Sequence, residues 1–561
     1  MRIVFKAAAF VAGREWKRWE VHTTKTSDTQ EQVLLGIISR NRATQFGHTH
    51  GFERIHSLSD YRSRVGIADY ERLRPYVERA KHGEPNVLTA EPIVMFTLTS
   101  GSTGEPKLIP VTPSAKQNHR ILTRLWYYHA YRSHTDLFRG KWLGIVSPAV
   151  EGHTPGGIPF GAASGLIHQS SPRFVRNTYV NPPAVAEIEN FEAKYYLTIR
   201  LALENEISFI GTPNPSTILK LVETADRNQA DLIQDIHDGT ISARCALPGP
   251  TRQLLVRGLK KKPARARQLE ACASRAGALK PKDYWPGLQL IGCWKGGSVG
   301  VRLKELTRWF DEATPVRDLG YMASEAQMTL PISDASSAGI LDTSSHFYEF
   351  IPENEIRSSH PTTLLCSDLE EGKEYYPILT TCAGLYRYDI NDVIRVAGFY
   401  NQTPLIEFVR KGRDVTNITG EKLHVNQVMW AMAKAQSHTG CAALHFRACA
   451  DVQEARYQFS VEFDSANVPS EATLARLLAE LDLCLCKLNI EYAQKRESRR
   501  LRAPVLCVMK PGWFERKNQA SLARSARGTQ FKAQLLIATA EDSSEILKVI
   551  ELVVKPPPNQ N

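Results

Sequence analysis

The sequence predicts an α/β protein with a large N-terminal domain of several sheets and a smaller C-terminal α/β domain. Three observations carry that prediction. The 561-residue length exceeds what one core usually serves. Short apolar runs alternate with helical periodicity along the chain, and the pattern breaks at a polar stretch before restarting on a smaller scale. The composition, 42% hydrophobic and 23% charged, excludes disordered, collagen-like and disulfide-dense classes.

Taken in order, the apolar runs Ile93–Leu98, Leu143–Val146, Leu288–Cys293, Tyr376–Thr380, Val393–Val396 and Leu405–Val409 read as strands. Arg410-Lys411-Gly412-Arg413-Asp414 then interrupts the pattern, as a surface turn or as a domain hinge. Beyond it a helix near Val425–Ala435 precedes strands Ala442–Phe446 and Tyr457–Phe463. A further helix carries Leu474, Leu477, Leu478, Leu481, Leu485 and Leu488 on one face, and strand Val505–Met509 follows. This places a large domain at 1–410 and a small one at 411–561, with the join near 410–416.

The formal net charge of +11 is concentrated rather than spread. Arg252–Lys282 and Lys495–Lys532 each carry a net +9, so the remainder of the chain is acidic. Each window reads as a solvated face or as a surface toward a polyanion. The first has no aromatic residue and the second only Trp513, Phe514 and Phe531, so base-stacking platforms are not evident. No run is long enough to span a bilayer. Neither nucleic acid nor membrane is expected as a partner. The apolar N-terminus is split by Lys6 and lacks a convincing cleavage site, and the ten cysteines form no CxxC pair. A reducing, cytoplasmic location fits.

The sharpest local signal is Thr99-Ser100-Gly101-Ser102-Thr103-Gly104-Glu105-Pro106-Lys107, directly after strand Ile93–Leu98. Glycines let backbone N–H groups turn toward an anion, four hydroxyls add donors, and Lys107 adds a point charge. The spacing is not that of a Walker loop. A plain Ser/Thr/Gly turn is the bland alternative. Three more segments are each unremarkable alone: Asp318-Leu319-Gly320-Tyr321-Met322-Ala323-Ser324-Glu325, Leu385 to Val393 with Asp392 at a strand start, and Arg527-Gly528-Thr529-Gln530-Phe531-Lys532.

In this order the segments resemble the adenylate-forming superfamily of acyl-CoA ligases and luciferases. The nearer resemblance is to its acyl-acid amido synthetase branch, the auxin-responsive Gretchen Hagen family, in a bacterial-looking form. Thr380-Thr381-Cys382-Ala383-Gly384-Leu385-Tyr386-Arg387-Tyr388 is similar to a family signature, as are His346 to Pro352 and Arg395 to Phe399.

The resemblance implies an ATP- and Mg²⁺-dependent ligase that adenylates a small carboxylic acid and passes the acyl group to an amine, foremost an amino acid. By position, Thr99, Ser100, Gly101, Ser102, Thr103 and Gly104 would contact phosphate, flanked by Lys107. Gly297 and Ser298, after Gly296, would line the pocket between acid and nucleotide. Tyr321 would lie against adenine, with Ser324 nearby and Glu325 holding Mg²⁺. Asp392 would accept from the ribose hydroxyls, with Arg410 near the ribose and the hinge. Lys422 and Lys532 would come from a mobile small domain, Lys532 swinging into the adenylation site.

The chain departs from the family pattern in places. Asn391 stands where Gly is common, Cys382 where Tyr is frequent, and Ala533-Gln534-Leu535 replaces the Pro-Arg that often follows the lysine. An acyl-CoA ligase, or a basic nucleic-acid-binding protein, remains as another reading. The acid, the amine and the oligomeric state are not specified by these motifs.

Overall fold

The computed structural model describes residues 2–99, 107–145, 150–162, 173–188, 190–300, 303–356, 358, 360–465, 467–517, 535–537 and 543–552. The described residues divide into two compact units, one formed by the residues up to Thr99 and Lys107–Val409 and the other by those from Arg410 onward.

In the larger unit, Lys141–Gly144, Ile207–Gly211, Leu290–Gly292 and Val316–Arg317 form an all-parallel sheet in that order. Parallel neighbours require crossovers, and helices Phe191–Leu203 and Pro215–Arg227 lie between the first three strands in sequence. The second helix starts where it does because Pro215 follows Asn214, whose side chain accepts from Ser216 N–H at 2.9 Å. A smaller mixed sheet takes the order Lys107–Val111, Met95–Thr99, Pro159–Gly161, Gly152–His153.

The third sheet is antiparallel, in the order Phe347–Pro352, Glu374–Thr380, Asp392–Tyr400, Thr403–Lys411, Gly339–Leu341, Thr329–Leu330. Two of its strands are nine residues long where the apolar runs predict four and five. The extra residues are partly solvent-facing, Ala397, Phe399 and Arg410 among them, so hydrophobicity alone undercounts them.

The N-terminal stretch is helix Arg2–Thr24, followed by helix Thr26–Arg40. Both are tied to the antiparallel sheet. Trp19 donates to Asp342 at 3.1 Å, and Gln30 bridges the carbonyls of Thr343 and His346 while accepting from Tyr348 N–H. No helix among the described residues is long and apolar enough to cross a membrane.

The segment Thr380–Tyr388 is buried throughout and acts as a hub. Arg387 pairs with Glu349 through two bonds of 2.8 and 3.1 Å and donates to Val65 O at 2.9 Å. Arg62 reaches the same carboxylate at 2.8 Å. The Tyr61 and Thr380 hydroxyls meet at 2.8 Å, and the Tyr386 hydroxyl donates to Leu88 O at 2.7 Å. The signature thus binds the N-terminal helices to the sheet.

The smaller unit contains one five-stranded sheet, ordered Leu536–Ile537, Ala443–Asp451, Arg456–Phe463, Val505–Met509, Ile546–Glu551. Helices Val425–Thr439 and Glu471–Leu488 cover it, with Leu474, Leu477, Leu478, Leu481 and Leu485 of the second in the core. None of the ten cysteines forms a disulfide bond.

The first basic window is not simply a solvated face. Arg252 donates to the carbonyls of Ile241, Ser242 and Cys245, and Arg265 to those of Leu203 and Tyr284. Lys262 reaches Glu204 O at 3.2 Å. These cations satisfy carbonyls at helix ends and turns. Arg257, Lys260, Lys261 and Arg267 stay exposed.

Candidate active site

The strand Met95–Thr99 runs antiparallel to Lys107–Val111, with Thr99 opposite Lys107. Ser100, Gly101, Ser102, Thr103 and Gly104, expected at the phosphates, lie outside the described residues, as does Lys532, and the Thr99 and Ser298 side chains are likewise not described. Lys107, on the facing strand, places its ammonium 5.5 Å from the Tyr70 ring centre.

Tyr321 opens a tight reversal. Met328 N–H returns to Tyr321 O at 2.9 Å, and inside it Ala323 N–H bonds Ala326 O at 2.9 Å. Ser324 and Glu325 therefore form the tip. The Thr97 hydroxyl donates to Ser324 O at 3.2 Å, which fixes this tip beside the strand that leads to Thr99. Glu325 is half-buried and engages no partner among the described residues.

The tyrosine itself is buried. Its hydroxyl donates to Asp392 Oδ2 at 2.6 Å, and its ring centre lies 5.7 Å from that of Phe408. Burial, then the Asp392 charge, pushes the Tyr321 hydroxyl well above its ordinary range, so it stays a donor. Asp392 begins its strand one residue after Asn391, which has φ 55° and whose N–H donates to Asp389 Oδ1 at 2.8 Å. The left-handed backbone explains why this position tolerates Asn in place of Gly.

Gly297 has φ +62°, and a β-carbon there would stand 2.8 Å from the Phe408 ring. One at Gly296 would meet Phe408 O at 2.9 Å. The two glycines thus let the chain pass directly over Phe408, next to Tyr321.

The sequence reading missed the residue that joins these turns. Asp318 Oδ2 accepts Lys295 N–H at 2.6 Å, and Oδ1 accepts Gly320 N–H at 2.7 Å. One carboxylate therefore clamps the chain before Gly296 to the chain before Tyr321. Its burial, despite these bonds and Lys295, pushes the carboxyl up to about 6. The only sequence signal was an Asp two residues before a Gly, a common turn pattern. Trp126, on helix Pro113–Ser133, donates to Asp318 O at 2.8 Å and is buried in packing.

Gly297, Tyr321, Ser324, Glu325 and Asp392 of the larger unit are thus connected through Asp318, Phe408 and Thr97. Arg410 and Lys422 belong to the smaller unit. Lys422 has φ 47° in the turn before strand Leu423–His424. Among the described residues no group of three or more His, Cys, Asp or Glu side chains could hold a metal ion. One unengaged carboxylate, Glu325, suits Mg²⁺, which keeps waters and substrate phosphates as its other ligands.

The GH3 family N-terminal domain matches residues 16–316, the GH3 family central domain 339–411 and the GH3 family C-terminal domain 426–541. The chain is 24% identical to the indole-3-acetic acid-amido synthetase GH3.3 of Arabidopsis thaliana, over 91% of this chain and 90% of that one. It is 25% identical to the indole-3-acetic acid-amido synthetase GH3.8 of Oryza sativa subsp. indica, over 91% and 88%. Among solved structures it is similar to the AtGH3.15 acyl acid amido synthetase in complex with 2,4-DB, with TM-score 0.66, 21% identity and 97% of each chain covered. A 2-hydroxyisobutyryl-CoA ligase shares the fold at TM-score 0.51 and 14% identity, over 92% of this chain and 91% of that one.

Proposed function

Because this chain belongs to the GH3 family, we infer that it is an ATP-dependent acyl-acid amido synthetase, joining a small carboxylic acid to an amine. The acid's carboxylate oxygen attacks the α-phosphorus of ATP and pyrophosphate leaves. The amine nitrogen then attacks the acyl carbon, AMP leaves, and the amine gives up a proton. An amino acid is the proposed amine, as the family resemblance implies; the relatives' names specify amide formation on an acid.

The observation that carries the site is the tip Ser324–Glu325 held against the strand leading to Thr99. It puts a half-buried carboxylate near strand Met95–Thr99, after which the proposed phosphate loop, Thr99 to Gly104 with Lys107, follows in sequence. Glu325 would hold Mg²⁺, which when bound offsets phosphate charge. Tyr321 and Phe408 offer an aromatic wall for the adenine, and Gly297 with Ser298 lines the space between nucleotide and acid. Asp392, held by the Tyr321 hydroxyl, would accept from the ribose hydroxyls. The buried setting strengthens these contacts and keeps water from the adenylate.

We propose 1–410 as the adenylation domain and 411–561 as the small domain, with the hinge near 410–416. The division of the chain at Val409 and Arg410, and the left-handed Asp414 with φ 58°, support that placement. Arg410 would then sit at the pivot, and Lys422 and Lys532 would move with the small domain.

The direct test is acid-dependent exchange of labelled pyrophosphate into ATP over a panel of aryl and alkyl acids. Exchange with at least one acid is expected. None with any acid, from folded protein, overturns the reading. Discharge of the adenylate by CoA rather than by an amino acid would reassign the second half-reaction.

A further inference from the structure

Lys495 and Arg500 in the smaller unit, which lie near Lys422, have no role in the scheme above. The turn Asn417–Lys422 is held from the inside by Glu421, which is fully buried. Glu421 accepts from Ile418 N–H at 2.7 Å, Thr419 N–H at 2.8 Å, the Thr419 hydroxyl at 3.1 Å and the Tyr457 hydroxyl at 2.6 Å. Gly420 N–H donates to Asn417 Oδ1 at 2.8 Å. Asn489, the N-cap of helix Ile490–Glu497, donates to Glu421 O at 2.9 Å. Turn and helix are therefore one rigid piece, and the turn's one acid is spent in the core.

Lys495 lies across the outside of this turn. Its Cε and Nζ are 3.4 and 3.8 Å from where a β-carbon on Gly420 would stand. The adjacent Arg496 is engaged by Asp482 at 2.8 Å, but the Lys495 ammonium forms no hydrogen bond or ion pair with a described residue. The charged groups facing it are Arg500, Glu491, Glu421 and Lys422. Burial first, then Arg500, pushes the ammonium down to about 8, in spite of the two acids. A half-buried cation beside two others is costly until an anion completes it.

We propose that Lys495, with Lys422 and Arg500, forms an oxyanion-binding site over the Gly420 turn, for a carboxylate or phosphate group. The bare glycine leaves the approach open. Two substrates of the ligase reaction carry such groups: the carboxylate of an amino-acid acceptor, and pyrophosphate or AMP. Naming these sources rests on the ligase reading, whereas the site itself does not.

The test is calorimetric titration of the full chain with inorganic pyrophosphate and, separately, with glycine and with ethylamine, which lacks the carboxylate. Lys495→Met is expected to weaken binding of pyrophosphate or of glycine about ten- to hundredfold. Lys495→Arg should restore it. Near pH 8 the wild-type heat should depend on the buffer, because the ammonium takes up a proton on binding, and the Met variant should lose that dependence. Glycine binding without ethylamine binding identifies the carboxylate source; pyrophosphate binding alone identifies the phosphate source. Equal affinity of wild type and Lys495→Met for both anions, with unchanged thermal unfolding, overturns the site. Lys495-dependent binding without any acid-dependent exchange upholds the site and overturns only the ligase reading.

Discussion

The Tyr321 hydroxyl donates to Asp392 Oδ2 at 2.6 Å across 71 residues of sequence, between two buried side chains. It links a turn held against strand Met95–Thr99 to the first residue of a long strand. Tyr321→Phe leaves one Asp392 oxygen without this donor. The expected cost is about 1.5–3 kcal/mol, the range for hydrogen bonds to charged groups, with weaker ATP binding. Denaturant unfolding and ATP titration check both, and an unchanged midpoint would show that the bond carries no stability.

The Arg387–Glu349 pair ties the N-terminal helices to the central sheet, with both side chains buried. Glu349→Gln leaves two guanidinium groups short of their charge partner. The expected loss is about 3–5 kcal/mol, as for other buried pairs broken on one side. Chemical denaturation of the full chain measures it.

Gly297 combines a left-handed backbone with a 2.8 Å approach of its absent β-carbon to Phe408. Gly297→Ala should destabilise by about 1–3 kcal/mol and depress pyrophosphate exchange. Adding Phe408→Ala should recover the steric part only. A double variant as impaired as the single one would argue that backbone strain is the whole effect.

Asp318 titrates near 6 rather than at its ordinary 3.8, because burial disfavours its charge. Between about pH 4 and 6 the native state holds a proton that the unfolded chain has lost. This contribution to stability is full below about pH 4 and is lost as pH rises to about 6, with a size on the order of 2–3 kcal/mol. Urea unfolding at several pH values should show that fall in the wild type and not in Asp318→Asn. Parallel pH curves for the two proteins would reject the assignment.

Lys532→Ala should reduce acid-dependent pyrophosphate exchange by about 10²–10³-fold, the usual range for removing one group that stabilises transition-state charge. ATP binding should change little. An unaffected exchange rate would show that another cation meets the α-phosphate.

The amino-acid sequence by itself determined the alternation of strands and helices, because burial on one face or both imposes its period on side chains. Strand Val505–Met509 is found with the predicted ends, since all five residues are buried. It also identified the family, through motifs whose order no single core constraint would produce. Asn391 shows the limit. The residue was legible only as a departure from Gly, and its φ of 55° supplies the reason.

What only the tertiary structure decided is which separated residues share an environment. Asp318 clamps two turns through backbone N–H groups, and backbone donors leave no mark in sequence. The first basic window likewise read as a solvated charge run, yet Arg252 and Arg265 lie against carbonyls at helix ends. Lys495 became notable only beside Gly420, 75 positions earlier, once Glu421 had turned inward. Charge and hydropathy are read residue by residue, but desolvation and pairing depend on what the folded chain brings near.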